Sequence, residues 1–483
     1  MQLLDLITIF IFALGIVIMG LSFSGKGRNM KSFFAAGGAV PWAMSGLSLF
    51  MGFFSAGTFV VWGSIAYSLG WIAISIQWTM AIAGFVVGFF IAPRWHKTSA
   101  LTVAEYITRR LGVNTQKTYT YLFLFISLFT TGSFLYPVAK IVEVSTGMPL
   151  DLCILLLGGF CIVYVAAGGL WAVVSTDVLQ FIILTAAVLI VVPLSFGRVG
   201  GVVNFIESIP ATYFNLVNGE YTIGFIIAFG VYNAIFLGGN WAYVQRYASV
   251  NSQSSARKVG FLFGGLYVVS AVLWMLPPMI YRIVNPSLST IDAEGAYLMM
   301  CKEVLPAGLL GLMLSGMVFA TASSLNATLN ISSGVVTNDI FKRLFPQSSD
   351  KTLMRVARIS TIIFGLLAII VALLIPLMGG IVNVVISVAA LTGVPLYLPI
   401  IWTLFSKRQT EYSVITTTLV SLGANAFFKF ITPLWGFGFN RAEEMIVGVA
   451  FPVFCLIAFE LYYKLNHKIS CLLYTSDAAD DKA

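Results

Sequence analysis

Between Lys31 and Arg94 the chain carries no charged side chain at all, over residues 32–93. Residues 359–406 are charge-free in the same way. A helix needs about 20 consecutive apolar residues to cross a bilayer, so each run supplies two spans and a tight turn. In hydrocarbon every backbone group must find its partner inside the protein, and a helix does this within one segment. The whole chain of 483 residues is 59% hydrophobic and only 10% charged, with a mean hydropathy of +0.94. That balance excludes an ordinary soluble domain. The expected class is an all-α polytopic membrane protein.

Hydropathy predicts twelve spans, at about 4–22, 41–66, 69–93, 118–142, 150–169, 176–197, 222–245, 257–281, 304–334, 357–377, 380–405 and 411–431. A further apolar segment lies at about 443–463. The start, Met1-Gln-Leu-Leu-Asp5, lacks a basic residue, and no small-residue cleavage site follows, so the first segment reads as a span and not a cleavable signal. Lys26, Arg28 and Lys31 mark one side of the membrane. Arg94, Lys97, Arg109, Arg110, Lys117, Arg246, Arg257 and Lys258 fall on that side. So do Lys342, Arg343, Lys351, Arg355, Arg358, Lys407 and Arg408. The alternate loops hold few cations: Arg198, Arg282 and Arg441. The positive-inside rule makes the first side cytoplasmic and puts the N-terminus outside. The expected location is a bacterial-type inner (plasma) membrane.

The net charge of +8 follows from that asymmetry. No basic stripe alternates with aromatics in a soluble segment, so nucleic acid is not an expected partner. Cys153, Cys161, Cys301, Cys455 and Cys471 show neither disulfide nor zinc spacing. The two histidines, His96 and His467, sit outside the spans. With no nucleophile–base pair or paired carboxylate at depth, an enzyme is not expected. Residues 1–465 read as a single transmembrane domain, whereas 470–483 change character abruptly and look non-native.

One stretch concentrates polarity where it is costly. Ala320-Thr-Ala-Ser323-Ser324-Leu-Asn326-Ala-Thr328 lies in an uncharged apolar segment running from Val304 to Asn338. Ala320, Ser323 and Ser324 share one helix face at i, i+3 and i+4. They offer one carbonyl and two hydroxyl oxygens, a donor set that suits a hard cation such as Na⁺. Small residues with Ser and Thr also line ordinary helix–helix contacts, and on this stretch alone both readings stand. Two spans are interrupted by glycine, at Gly46-Leu-Ser-Leu-Phe-Met51-Gly-Phe-Phe54-Ser55-Ala-Gly57-Thr58 and at Phe236-Leu-Gly238-Gly239-Asn240-Trp241-Ala-Tyr243. Paired breaks in corresponding positions of two halves point to a transporter site. They lie five spans apart, so the halves have opposite topology, as an inverted repeat requires.

These residues carry a resemblance. The run SGMVFATASSLNATLNISSGVVTNDIF, from Ser315 to Phe341, is its most specific part. LTVAEYITRRLG after the third span, GGLWAVVSTDVLQ ending at Gln180, and NWAYVQR from Asn240 to Arg246 support it. In them the chain resembles the sodium:solute symporter family over about residues 1–465. The resemblance implies a LeuT-like core of five-plus-five inverted repeats, at about 41–197 and 222–405, with one helix before it and two or more after. It implies secondary active transport by alternating access: sodium-coupled symport of a small polar organic solute, with Na⁺ as the coupling ion and a monomer in the lipid bilayer as the working unit. Carried over residue by residue, the family's main sodium site falls on the carbonyls of Met51, Phe54 and Ala320 and the hydroxyls of Ser323 and Ser324. A second sodium site found in some members falls on Asp177, Ser323 and Asn326, where Ala327 supplies no side-chain oxygen. Asp177 also fits a plain helix cap.

The resemblance places solute contacts on Ser55, Thr58, Gln77 and Asn240. Trp241, Tyr243 and Trp62 would stack on a ring or close a gate, or simply pack the core. Ser55, Thr58 and Gln77 agree in type with the sialic-acid branch, but that branch's carboxylate-binding arginine falls on Thr130. Lys140 is the one cation of that span, and an exposed pair with Glu143 is its expected role. The galactose branch's glutamate and lysine fall on Gln77 and Tyr267. The missing charges point to a neutral or weakly charged solute, a sugar or sugar-like molecule ahead of an amino acid or monocarboxylate. A channel would need a continuous polar lining, which is not seen, and a transporter-like membrane sensor is the remaining alternative.

Overall fold

A computed structural model describes residues 2–24, 40–100, 102–164 and 170–466. Lys26, Arg28, Lys31 and the atypical tail at 470–483 lie outside the described residues. Among the described residues the chain is helical throughout. Eight helices are long and apolar enough to cross a membrane, or nine when the bent pair Ile223–Gly239 and Trp241–Ala248 counts as one span. Shorter apolar helices, among them Trp42–Met51 and Thr58–Leu69, fill further expected spans. The outer surface is apolar where a soluble protein would be polar: Leu366, Ile370 and Phe454 are 52%, 53% and 70% exposed. Lipid tails satisfy such side chains, and the polar groups turn inward.

The long helix Gln253–Val284 packs against Ile72–Val86 and Trp42–Met51. Glycine makes the first contact close. Gly84 and Gly88 face Gly260 and Gly264, each pair four residues apart on its own helix. A Cβ on Gly84 would meet Gly264 Cα at 2.8 Å, and one on Gly260 would meet Gly88 Cα at 2.5 Å. Without a hydrophobic drive between helices in lipid, such backbone approach supplies the dispersion contact that holds them. On the repeat bounds expected from the sequence, the two helices are the second spans of the two halves.

The helix Leu309–Val335 is anchored at its N-terminal end by Asp5, whose Oδ1 accepts from the backbone N–H of Gly308 at 2.7 Å and of Gly311 at 3.1 Å. These are orphan donors of a helix start, satisfied here from the first span.

Lys140 departs from expectation. It pairs with Glu143 at 2.8 Å, but it is buried, with 4% exposure, and not on the surface. The turn Asp292–Gly295 and the helix Ala296–Val304 pack against this span. They bring in the buried Glu294, which accepts from the Tyr136 hydroxyl at 2.7 Å and from the Ile381 N–H at 2.9 Å.

Candidate transport site

Both glycine-interrupted spans are broken. After Met51 the chain leaves the helix over residues 52–55 and resumes at Ala56. The last helical turn tightens, with Gly52 and Phe53 N–H bonding back to the Leu49 and Phe50 carbonyls at 3.2 and 2.9 Å. The Thr58 hydroxyl donates to the Phe53 carbonyl inside the break. Gly52 lies close to both elements: a Cβ there would sit 3.3 Å from the Leu49 oxygen and 3.4 Å from the Tyr243 ring. Tyr243 belongs to the other broken helix, so the two breaks meet.

The second break turns at Asn240. The helices on either side of it cross at 60°. Asn240 is extended, at φ −63° and ψ 130°, and its side chain accepts from the Ala242 N–H at 3.0 Å. That is an N-cap for the second half-helix. Its amide Nδ2 donates to the Tyr397 hydroxyl at 3.4 Å.

Next to the breaks lies a cavity of about 180 Å³. At about 15 Å³ per water position it has room for roughly a dozen water-sized centres, enough for one small solute. Ser55, Thr58, Gln77 and Tyr243 line it, as do Trp62, Thr130 and Tyr267. Asn240 and Trp241 are not among the lining residues. Asn240 caps its helix, and Trp241 stacks on Phe123, with centroids 4.7 Å apart and planes 5° off parallel. Residues not anticipated also line the cavity, notably Ser133, Tyr232, Asn233, Thr392 and Tyr397. Ser133 follows Thr130 by three residues, and Asn233 is the one amide in the apolar helix Ile223–Gly239; each polar group stands out in the sequence once depth is considered. Thr392 and Tyr397 come from a distant span and give no local signal. Among the described residues no Asp, Glu, Lys, Arg or His lines the cavity.

The residues expected to hold sodium fall on the first break and on one helix, Leu309–Val335. Met51 and Phe54 are buried at the two ends of the break, 2% and 1% exposed. Ala320 is buried on Leu309–Val335, and Ser324 is half-buried one turn further along. Ser323 and Asn326 belong to the same helix, and their side chains lie outside those described. Thr321 joins the two elements: the Ala56 N–H donates to its hydroxyl oxygen at 3.0 Å, and that hydroxyl donates to the Met317 carbonyl at 2.9 Å. Asp177 is buried elsewhere, where the Ser48 hydroxyl donates to its Oδ2 at 2.6 Å. Arg246 Nε reaches the same Ser48 oxygen at 3.4 Å.

The family profile of the sodium:solute symporters matches residues 33–420, most of the chain. The chain belongs to the sodium:solute symporter family. The symporter is 28% identical to the sodium/glucose cotransporter of Vibrio parahaemolyticus, an alignment that covers 89% of this chain and 86% of that one. It is 25% identical to sodium/glucose cotransporter 1 of Mus musculus, over 94% of this chain and 76% of that one. With sodium/myo-inositol cotransporter 2 of Sus scrofa it shares 27%, over 86% of this chain and 68% of that one. Among solved structures it resembles the outward-open state of a Na⁺-coupled sialic acid symporter, with a TM-score of 0.79 and 21% identity over 95% of this chain and 98% of that one. A closed nucleobase-cation-symport-1 family transporter is similar at a TM-score of 0.59 and 14% identity, over 94% and 99% of the two chains. The fold is therefore the LeuT-like inverted repeat, and the chain is an integral membrane protein that couples solute transport to Na⁺.

Proposed function

We propose that this symporter carries a neutral, polyhydroxylated solute, a hexose or a cyclitol, through the cavity between its two broken helices. The observation that carries the reading is a cavity lined, among the described residues, by no charged side chain and rich in hydroxyl, amide and aromatic groups. Hydroxyls and amides suit sugar hydroxyls, and flat aromatic faces suit the C–H faces of a ring. A carboxylate solute would find no cation in the lining. The names of the relatives, glucose and myo-inositol cotransporters, agree with that chemistry.

Sodium sits, in this reading, among the carbonyls of Met51, Phe54 and Ala320 and the hydroxyls of Ser323 and Ser324. The ion draws the unwound segment onto Leu309–Val335. Ser55 and Thr58 then order one wall of the cavity, with Gln77 opposite the break. Coupling requires Na⁺ and solute each to favour the same conformation, since tight binding alone shifts nothing. The inward membrane potential adds about 2.3 kcal/mol per charge per 100 mV. Asp177 acts as part of a cytoplasmic clamp with Ser48 and Arg246, not as the ligand of a second ion, because a guanidinium already stands in its neighbourhood. The protein works as a monomer in an inner (plasma) membrane with its N-terminus outside.

The test is uptake of labelled D-glucose, D-galactose and myo-inositol into proteoliposomes, with and without an inward Na⁺ gradient, beside sialic acid and proline. Accumulation of a sugar or cyclitol only with Na⁺ is expected. Accumulation of sialic acid or proline alone would overturn the reading.

A further inference from the structure

We infer that Asn425 is a positioning residue for solute transport: its amide holds the π turn Ala389–Gly393 in register and so sets Tyr397 on the cavity wall. Nothing in this depends on which solute fills the cavity.

The helix Ile381–Val388 continues through the π turn Ala389–Gly393 into Val394–Thr403. An α-helix bonds each N–H four residues back, and a π turn bonds it five back. Pro395, at the start of the last piece, has no N–H to give. In an unbroken α-helix it would orphan one carbonyl, that of Leu391. Where a π turn hands over to an α-helix at this proline, two carbonyls look to it in vain: Ala390, five residues back, and Leu391, four. A buried carbonyl without a donor is costly, so the local sequence by itself favours the α register.

Asn425, on the helix Glu411–Ala426, reverses that balance. Its Nδ2 donates to the Ala390 carbonyl at 3.1 Å and to the Leu391 carbonyl at 3.3 Å. A side-chain amide nitrogen carries two hydrogens, one for each oxygen. Asn425 is 5% exposed, so solvent does not replace the donor when it is lost. Gly448, on Arg441–Leu465, leaves the Ala390 oxygen its room, since a Cβ there would collide with it. Among the described residues neither of these two helices lines the cavity. They act on it through the turn.

The turn decides what the wall presents. Val385, Val388, Ala389, Thr392, Gly393 and Tyr397 line the cavity. At about 100° per residue in an α-helix, Tyr397 would stand about 120° round from Val385. The extra residue of a π turn takes about 100° of that back. Tyr397 then meets the second break. Its hydroxyl accepts from Asn240 Nδ2 at 3.4 Å, and its ring meets Phe236 edge-on with centroids 5.9 Å apart.

Thiol labelling reads the register. With the native cysteines replaced by alanine, Tyr397→Cys puts a thiol after the turn and Val388→Cys puts one before it. The probe is methanethiosulfonate ethylammonium, applied to proteoliposomes. Asn425→Leu should slow labelling of Tyr397→Cys about fivefold or more and leave that of Val388→Cys unchanged. With Tyr397 and the cysteines native, uptake is followed with whichever of D-glucose, D-galactose and myo-inositol the unaltered protein accumulates with Na⁺. Asn425→Leu should raise its KM about tenfold and lower the melting temperature by a few degrees. Asn425→Ser keeps one hydrogen, should fall between, and carries the same test if Asn425→Leu does not fold. Adding Pro395→Ala to Asn425→Leu returns a backbone donor to the α register. Melting temperature should then recover while the raised KM and the slow labelling persist. A merely structural role would restore all three together, and that result would overturn the inference. Unchanged labelling of Tyr397→Cys in Asn425→Leu would also overturn it, as would equal slowing at both thiols. If no sugar is taken up with Na⁺, the functional reading falls, and the labelling still decides the role of Asn425.

Discussion

The backbone N–H of Ala56 donates to the hydroxyl oxygen of Thr321 at 3.0 Å, across 265 residues of sequence. Ala56 is the first residue after the break in the second span. Thr321 follows Ala320 and precedes the serine pair by two positions. The bond closes an orphan donor at the start of a half-helix, and it sets the unwound segment against the turn that carries the proposed sodium oxygens.

Thr321→Val keeps the side-chain shape and removes the acceptor. A buried N–H left without a partner costs about 1–3 kcal/mol. The half-saturating Na⁺ concentration for uptake should rise roughly tenfold or more, and Thr321→Ser should restore it. An unchanged sodium dependence in Thr321→Val would separate this bond from the ion site.

Ser323→Ala combined with Ser324→Ala removes two of the five proposed sodium ligands. Sodium-dependent uptake should be lost while the purified protein keeps its helical circular dichroism. Uptake that still follows the Na⁺ gradient in the double variant would remove the assignment.

Gln77 and Asn240 should separate kinetically. Gln77 lines the cavity, so Gln77→Ala should raise KM for the solute about tenfold with melting temperature little changed. Asn240 caps the half-helix Trp241–Ala248, and losing a cap costs about 0.5–2 kcal/mol. Asn240→Ala should lower the melting temperature and kcat together. A pure KM effect at Asn240 would return it to the solute-binding set.

Gly84→Leu and Gly260→Val should fail to accumulate folded protein, because a side chain at either position collides with backbone of the facing helix. Gly265→Ala is the control, since nothing lies within 4 Å of a Cβ there. Detergent-solubilised yield and melting temperature read the difference; a normally folded Gly84→Leu would refute the close crossing.

One net charge should cross per neutral solute if Asp177 serves the clamp with Ser48 and Arg246. Simultaneous current and tracer flux in oocytes or on supported membranes measures the ratio. Two charges per solute would make Asp177 part of a second ion site.

The span positions were legible because lipid demands about 20 apolar residues per helix, and the charge-free runs admit nothing else. The breaks were legible in Gly52, Gly57, Gly238 and Gly239. Ser55, Thr58 and Gln77 were legible as polar groups at depth. Lys140 was misread, because its pairing with Glu143 is local but its burial depends on Asp292–Gly295 and Ala296–Val304, some 150 residues away.

Sequence alone determined that this chain crosses a membrane many times and where two spans must unwind. Those properties depend on transfer energy and backbone freedom, and both are local. Tertiary structure decided which polar groups share one cavity, that Asn240 turns to cap a helix, and that Thr321 meets Ala56. Such pairings depend on how distant helices cross, and the same hydroxyl serves a carbonyl, a neighbouring helix or a solute according to what the fold sets beside it.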